Sequence, residues 1–241
     1  MSAAGPATPP AAPPTTPAPD VVVFDVGEVL VDETRVWDVW AGLLGVSPAT
    51  LMATLGAAIV QGDDHVVAFD HVAPNVTWRE LEDEHEARYG GFRDIDLYPD
   101  VRPCLAELAA AGRRVVVAGN QPVRRRDQLL ALDLPGVAAE DVLVSDLMGV
   151  AKPDPAFFAA VLAHVGVAPA RVLYVGDRVD NDALPAAEAG MATCWLRRGP
   201  WGRLQDLPDE AEVDLELEGL GELATLLDDW GREAGGQEDA P

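Results

Sequence analysis

The stretch Val21-Val22-Val23-Phe24-Asp25-Val26-Gly27-Glu28-Val29-Leu30-Val31-Asp32 decides how this chain is read. Val21 to Phe24 is a run of β-branched and aromatic residues with no polar side chain, the pattern of a strand buried on both faces of a parallel sheet. Asp25 ends the run, and Gly27 follows closely. A carboxylate at the C-terminal end of such a strand stands where open α/β sheets bind ligands. The plain alternative is an aspartate that starts a turn. Polar groups farther down the chain bear on that choice.

Upstream, Met1 to Asp20 is Ala, Pro and Thr with almost no charge and no aromatic residue. It cannot bury enough apolar surface to offset its ordering entropy, so it reads as a disordered tail, residues 1–20. Downstream, Thr34 to Tyr98 reads as an all-helical insert, residues 34–98. Trp37, Trp40, Leu43 and Leu44 recur at helical spacing, and Ser47-Pro48 supplies a cap and first residue for a second helix through Leu51, Leu55, Ala58 and Ile59. Thr77 and Glu80 have the spacing of a capping box for a third, carrying Leu81, His85 and Tyr89.

From Tyr98 onward helix and strand alternate. Val101 to Ala111 reads as a helix, Arg114 to Ala118 as a strand, and Val123 to Leu132 as a helix whose Arg124, Arg125 and Arg126 form a solvated face. Strands follow at Val142 to Ser145, Arg171 to Val175 and Thr193 to Leu196, with an edge strand at Val213 to Leu217 and a closing helix at Leu220 to Trp230. Asp154-Pro155 caps a helix reaching His164. Strands separated by helices of this length indicate right-handed crossovers and a parallel sheet. The expected fold is α/β: a three-layer, Rossmann-like parallel-sheet core over residues 21–33 and 99–231, an inserted helical cap over 34–98, and a flexible C-terminal tail, 232–241.

Of 241 residues, nearly half are hydrophobic and a quarter charged, as in ordinary globular proteins. A formal charge of −24 argues against nucleic acid or an anionic membrane surface as a partner, and an anionic substrate would need a local cation. Two cysteines, Cys104 and Cys194, imply no disulfide framework and fit a reducing cytoplasm. The N-terminus lacks a basic region followed by an apolar core, and no apolar stretch is long enough to span a bilayer. The four histidines, His65, His71, His85 and His164, show no metal-ligand spacing and read as surface or cap residues.

Four post-strand loops carry groups suited to phosphate chemistry: Asp25; Gly119-Asn120; Lys152; and Asp177 with Asp182. If the strands share one parallel sheet, all four loops open at the same edge. In their order and spacing these motifs resemble the haloacid dehalogenase superfamily of hydrolases, in the branch with a helical cap after the first strand; the resemblance covers about Val21 to Leu227. It implies a nucleophilic role for Asp25, which takes up a phosphoryl group and is then hydrolysed. It further implies Mg²⁺ held by Asp25, the Gly27 carbonyl, Asp177 and Asp182, with Lys152 neutralising charge on the phosphoryl group. Gly119 and Asn120 fall at the phosphate-binding motif, where Asn120 would hold an oxygen with help from backbone N–H groups at the next helix start. Each residue keeps a structural alternative: Asp182 as an N-cap, Asp177 as a turn residue, Lys152 as a solvated charge, and Asp180 as a ligand in place of Asp182.

Two positions depart from the family pattern. Most of its phosphatases carry a second aspartate two residues after the nucleophile, which protonates the leaving alkoxide and later activates water; here Gly27 stands there. Gly119 likewise replaces a hydroxyl residue in the second motif. Glu28 and Asp32 are near in sequence, but neither occupies the matching position. The expected activity is a Mg²⁺-dependent phosphatase of a small phosphorylated metabolite, favouring aryl or acyl over alkyl phosphates. The alternatives are a hydrolase with another leaving group, dehalogenase-like or phosphonatase-like, and a catalytically weak protein that binds a phosphometabolite or a partner.

Overall fold

The computed structural model describes residues 17–235. The expected N-terminal tail therefore lies outside the described residues up to residue 16, as do residues 236–241 of the expected C-terminal tail. Residues 17–20 are described and belong to the fold: Pro19 is buried, and Asp20 pairs by its side chain with Arg171. The Asp20 carbonyl also accepts the Arg114 N–H at 3.0 Å, so pairing of the first strand begins before Val21.

Six strands form one parallel sheet: β1 (Val21–Phe24), β2 (Arg114–Gly119), β3 (Val137–Val144), β4 (Val172–Gly176), β5 (Ala192–Leu196) and β6 (Leu215–Leu217). Their spatial order is β3-β2-β1-β4-β5-β6, with β1 at the centre between β2 and β4. The chain reverses its direction of growth across β1, which makes the end of β1 the switch point where ligand crevices open.

The alternation along β1 explains its unbroken apolar run. Val22 and Phe24 join one cluster with Val115, Val117, Leu173 and Val175; Val21 and Val23 join another with Val116, Ala118, Val172 and Tyr174. Helices cover both faces, giving three layers. On the first lie α5 (Val101–Ala110), α6 (Val123–Ala131) and α11 (Leu223–Gly235), through Leu105, Leu108, Leu129, Leu223 and Leu227. On the second lie α8 (Pro155–Val165) and α9 (Leu184–Glu188), through Phe157, Phe158, Val161 and Ala186. Full burial of each such side chain contributes roughly 1.5–3 kcal/mol. Two short helices, α7 (Ser145–Met148) and α10 (Gly199–Leu204), complete the core.

Between β1 and α5 the chain builds the helical cap from α1 (Thr34–Leu44), α2 (Pro48–Gln61), α3 (Val66–Val72) and α4 (Glu82–Tyr89). Its apolar centre is Trp37, Trp40, Leu51, Leu55 and Phe69, with Trp201 of α10 packed in from the core. The entry and exit strands touch at the hinge: Val31 bridges Leu97 antiparallel, and Tyr98 N–H donates to the Leu30 carbonyl at 3.1 Å. Ser47 caps α2 through the Thr50 N–H at 3.1 Å, and Asp154 caps α8 through the Ala156 N–H at 2.8 Å.

Four local expectations need correction. Thr77 makes no side-chain cap; its carbonyl accepts the Glu80 N–H, and a 3₁₀ turn at Trp78–Leu81 precedes α4. The strand expected at 142–145 spans Val137–Val144, because residues 138–140 are exposed and carry no strand-like apolar pattern. Ser145 already belongs to α7. The arginines of α6 are not one solvated face. Arg125 is buried, donating to both Glu86 carboxylate oxygens at 2.7 and 2.6 Å, with its guanidinium 4.9 Å from the Tyr89 ring centroid. It joins core to cap.

Cys104 and Cys194 are buried free thiols. Among the described residues, no single helix is long and apolar enough to cross a membrane.

Candidate active site at the end of the central strand

Phe24 stands opposite Val117 on one side and Val175 on the other. The residues that follow each strand therefore emerge side by side: Asp25, Asn120 beyond Gly119, and Asp177 beyond Gly176. Lys152 enters from the loop between α7 and α8, and Asp182 from a π-helical turn, Val179–Ala183, that leads into α9. One carboxylate oxygen from each of Asp25, Asp177 and Asp182 lies within 4.8 Å of the others. Lys152 Nζ reaches 2.7 Å from Asp25 Oδ1 and 2.5 Å from Asp182 Oδ1, with its side chain only 1% exposed. Asp180, by contrast, turns outward to Arg178 and Gln205.

The absence of side chains at two positions creates this crowding. A Cβ on Gly119 would stand 2.5 Å from Asp25 Oδ1, and a Cβ on Gly176 would collide with the Asp182 carboxylate. The position that lacks the family's hydroxyl is thus filled by the Asp25 side chain itself.

The electrostatics follow from burial. Asp177 is pushed well above the usual carboxylate range by loss of solvent and by its neighbours Asp182 and Asp25. Asp182 is pushed up to about 6 by burial, against the pull of Lys152. For Lys152, burial opposes the charge, but Asp182 and Asp25 outweigh it and hold the ammonium protonated. Three buried carboxylates face one ammonium, so one positive charge leaves the cluster short of neutral. Hard oxygen donors in that condition fit a divalent cation such as Mg²⁺.

Asn120 faces Lys152. Its Nδ2 donates to the Lys152 carbonyl at 2.9 Å, and its Oδ1 accepts the Lys152 N–H at 2.8 Å, so the amide fixes the backbone that carries the ammonium. At the start of α6 the Gln121 N–H donates to Ser145 Oγ and the Val123 N–H to Asp146. Those two backbone donors, expected to face phosphate, are engaged within the protein.

Gly27 lies outside the left-handed region and forms a parallel bridge with Val31; the left-handed residue of this loop is Glu28, at φ 54°. What fills the space beside Gly27 is Glu33. A Cβ on Gly27 would stand 2.6 Å from Glu33 Oε1 and 2.8 Å from its Cδ. Burial, with Glu28 and Asp25 close by, pushes Glu33 up to about 8. Glu28 is pushed up to about 7 by burial, against the hydrogen bond that Tyr98 OH donates to its Oε2 at 2.5 Å. A cavity of about 190 Å³ opens between Glu28, Asp32 and Thr34 on one side and Trp37, Asp38 and Met52 of the cap on the other.

Sequence reasoning singled out Glu28 and Asp32 and passed over Glu33. A signal was available, because Glu33 occupies the N-cap position of α1, where glutamate is a poor capping residue. Its side chain indeed makes no cap hydrogen bond.

Residues 19–190 match the family of haloacid dehalogenase-like hydrolases. Among curated relatives, the chain is 33% identical over 137 residues to a glyceraldehyde 3-phosphate phosphatase of Methanopyrus kandleri, covering 56% of this chain and 58% of that one. It is also 33% identical over 139 residues to a phosphoserine phosphatase of Thermus thermophilus, covering 57% and 54%. In both, the matched stretch spans little more than half of the relative's length. Among solved structures, an L-2-haloacid dehalogenase of Xanthobacter autotrophicus superposes with a TM-score of 0.60 at 20% identity over 87% of this chain and 98% of that one. A phosphatase of Thermococcus onnurineus superposes at 0.53, with 23% identity over 86% and 97%. These two share the fold. With its central parallel sheet, inserted helical cap and a family match covering most of its length, the chain belongs to the haloacid dehalogenase-like hydrolases.

Proposed function

We propose that the protein is a phosphoric monoester hydrolase acting on a small phosphorylated metabolite through a covalent intermediate on Asp25. The observation that carries this reading is the pairing of Asp25 with a buried lysine inside a three-carboxylate cluster. Buried carboxylates gathered around one ammonium cost folding free energy, so a protein that only bound a ligand would gain little from them.

In the proposed reaction one oxygen of Asp25 attacks phosphorus in line with the leaving oxygen. Lys152, held charged and fixed through Asn120, stands beside that oxygen and neutralises charge on the transferring group. Asp25, Asp177 and Asp182, with the Gly27 carbonyl, would hold Mg²⁺. When bound, that ion would supply positive charge to the phosphoryl oxygens. The cavity between Trp37, Met52 and the loop at Glu28 would receive the organic part of the substrate.

The same cluster weighs against a metal-independent dehalogenase, because three gathered carboxylates are the donor set a hard cation takes. The net charge of −24 weighs against a nucleic-acid substrate. A panel of phosphorylated metabolites, assayed with Mg²⁺ and with chelator, tests the reading. Phosphate release that depends on Mg²⁺ and disappears in Asp182→Ala supports it. Release that is indifferent to chelator and to Asp182→Ala contradicts it.

A further inference from the structure

We propose that Glu33 is the general acid and base of the reaction, placing its carboxyl where Gly27 has no side chain. The inference rests on the phosphatase reading above and adds to it a residue from outside the loop motifs. The argument is geometric. An aspartate's own carboxylate oxygens lie about 2.4 Å from its Cβ, one carbon–carbon and one carbon–oxygen bond away. Around the position of a Cβ on Gly27, Glu33 Oε1 stands at 2.6 Å and Oε2 at 3.2 Å. The carboxyl of Glu33 thus fills the space beside Gly27 that a side chain at position 27 would enter.

The other carboxyls of this loop are committed elsewhere. Glu28 takes the Tyr98 hydroxyl on Oε2 and the Glu33 N–H on Oε1, and its stem packs against Gly199. Asp32 Oδ1 accepts the Thr34 N–H at the start of α1. Glu33 is different: its side chain makes no hydrogen bond or ion pair among the described residues, although its backbone is fixed by three such bonds. Its N–H donates to Glu28, and its carbonyl accepts from Val36 at 2.8 Å and Trp37 at 3.1 Å. A carboxyl held on an anchored backbone, unpaired, beside the nucleophile's loop, is suited to exchange a proton with a bound molecule.

The chemistry balances in two steps. As the Asp25 oxygen bonds to phosphorus and the bond from phosphorus to the leaving oxygen breaks, the Glu33 O–H proton passes to that oxygen. This yields an alcohol, a phosphorylated Asp25 and a Glu33 carboxylate. The carboxylate then takes a proton from water as the water oxygen bonds to phosphorus and the bond to Asp25 breaks. Inorganic phosphate leaves, with Asp25 and the Glu33 carboxyl restored. Alkyl phosphates, which need that first proton, are then substrates despite Gly27. This revises the preference for aryl and acyl phosphates expected from Gly27 alone.

The test compares leaving groups in the full-length protein with Mg²⁺ present. Glu33→Gln should lower turnover of an alkyl phosphate by about 10²–10⁴-fold. With p-nitrophenyl phosphate the same variant should release a burst of one nitrophenolate per protein and then slow, because the first step needs no proton and the second still needs a base. Glu33→Ala combined with Gly27→Asp should recover alkyl phosphate turnover at least tenfold over Glu33→Ala alone, since it returns a carboxyl to the same place without the collision. Loss of both substrates in parallel without a burst, unchanged turnover in Glu33→Gln, or no recovery in the double variant would each overturn the inference while leaving the phosphatase reading intact. An unmodified protein inert toward every phosphate ester overturns the phosphatase reading, and this inference with it.

Discussion

Lys152 Nζ lies 2.7 Å from Asp25 Oδ1 while remaining 2.5 Å from Asp182 Oδ1, so one ammonium bridges the proposed nucleophile and a proposed metal ligand. The lysine therefore has two opposed effects. It supplies charge to the reaction, and it competes with a cation for the same carboxylates.

Replacing Lys152 with Met separates those effects. Turnover should fall by about 10²–10³-fold, the scale of losing one preorganised charge partner. Mg²⁺ affinity, measured by calorimetry without substrate, should rise, because the three carboxylates lose their internal counter-charge. Unchanged or weaker Mg²⁺ binding would show that the lysine and the cation do not share ligands.

Arg125 and Glu86 hold the cap to the core through a bidentate pair whose arginine is buried. A double-mutant cycle with Arg125→Met and Glu86→Gln, followed by urea unfolding, should give a coupling of about 1–3 kcal/mol. Coupling near zero would reduce the pair to a solvated contact.

Asp141 reports on pH. Burial works against its charge, but hydrogen bonds from Arg114 and His164 outweigh burial and hold its carboxyl below the ordinary value of 3.8. A carboxylate lowered in the folded state contributes stability above that ordinary value and loses it as pH falls through the lower, folded one. Asp141→Asn should therefore be less stable than the unmodified protein at pH 7 by about 1–3 kcal/mol, with the two converging near pH 2. Thermal melts from pH 7 to pH 2 measure the difference; a constant gap would contradict the assignment.

The core was legible because its strands are short, apolar and fully buried, and because their loops end in polar residues that have no packing role. Val21 to Asp25 carries that pattern undiluted. Edge elements were less legible: residues 138–140 of β3 are exposed and lie at a break in register between the Val137 and Val142 pairings with β2, so no apolar alternation marks them. Arg125 read as solvent-facing because a helix of arginines looks polar until the partner, Glu86, is brought from 39 residues away. Glu33 was missed for a related reason. The loop motifs are contiguous in sequence, whereas the space beside Gly27 is filled by a side chain from the next turn of chain; a glutamate at a cap position hints at a role other than capping but does not say which volume it fills.

The central claim is that Asp25 becomes phosphorylated during turnover. The most direct measurement is peptide mass mapping after acid quench of the protein with p-nitrophenyl phosphate and Mg²⁺, with Asp25→Asn as the control. The account predicts the mass of one phosphoryl group on the peptide containing Asp25, accumulating further in Glu33→Gln, and neither label nor turnover in Asp25→Asn. Phosphate release that persists in Asp25→Asn, or a phosphoryl group found on another residue, would contradict it.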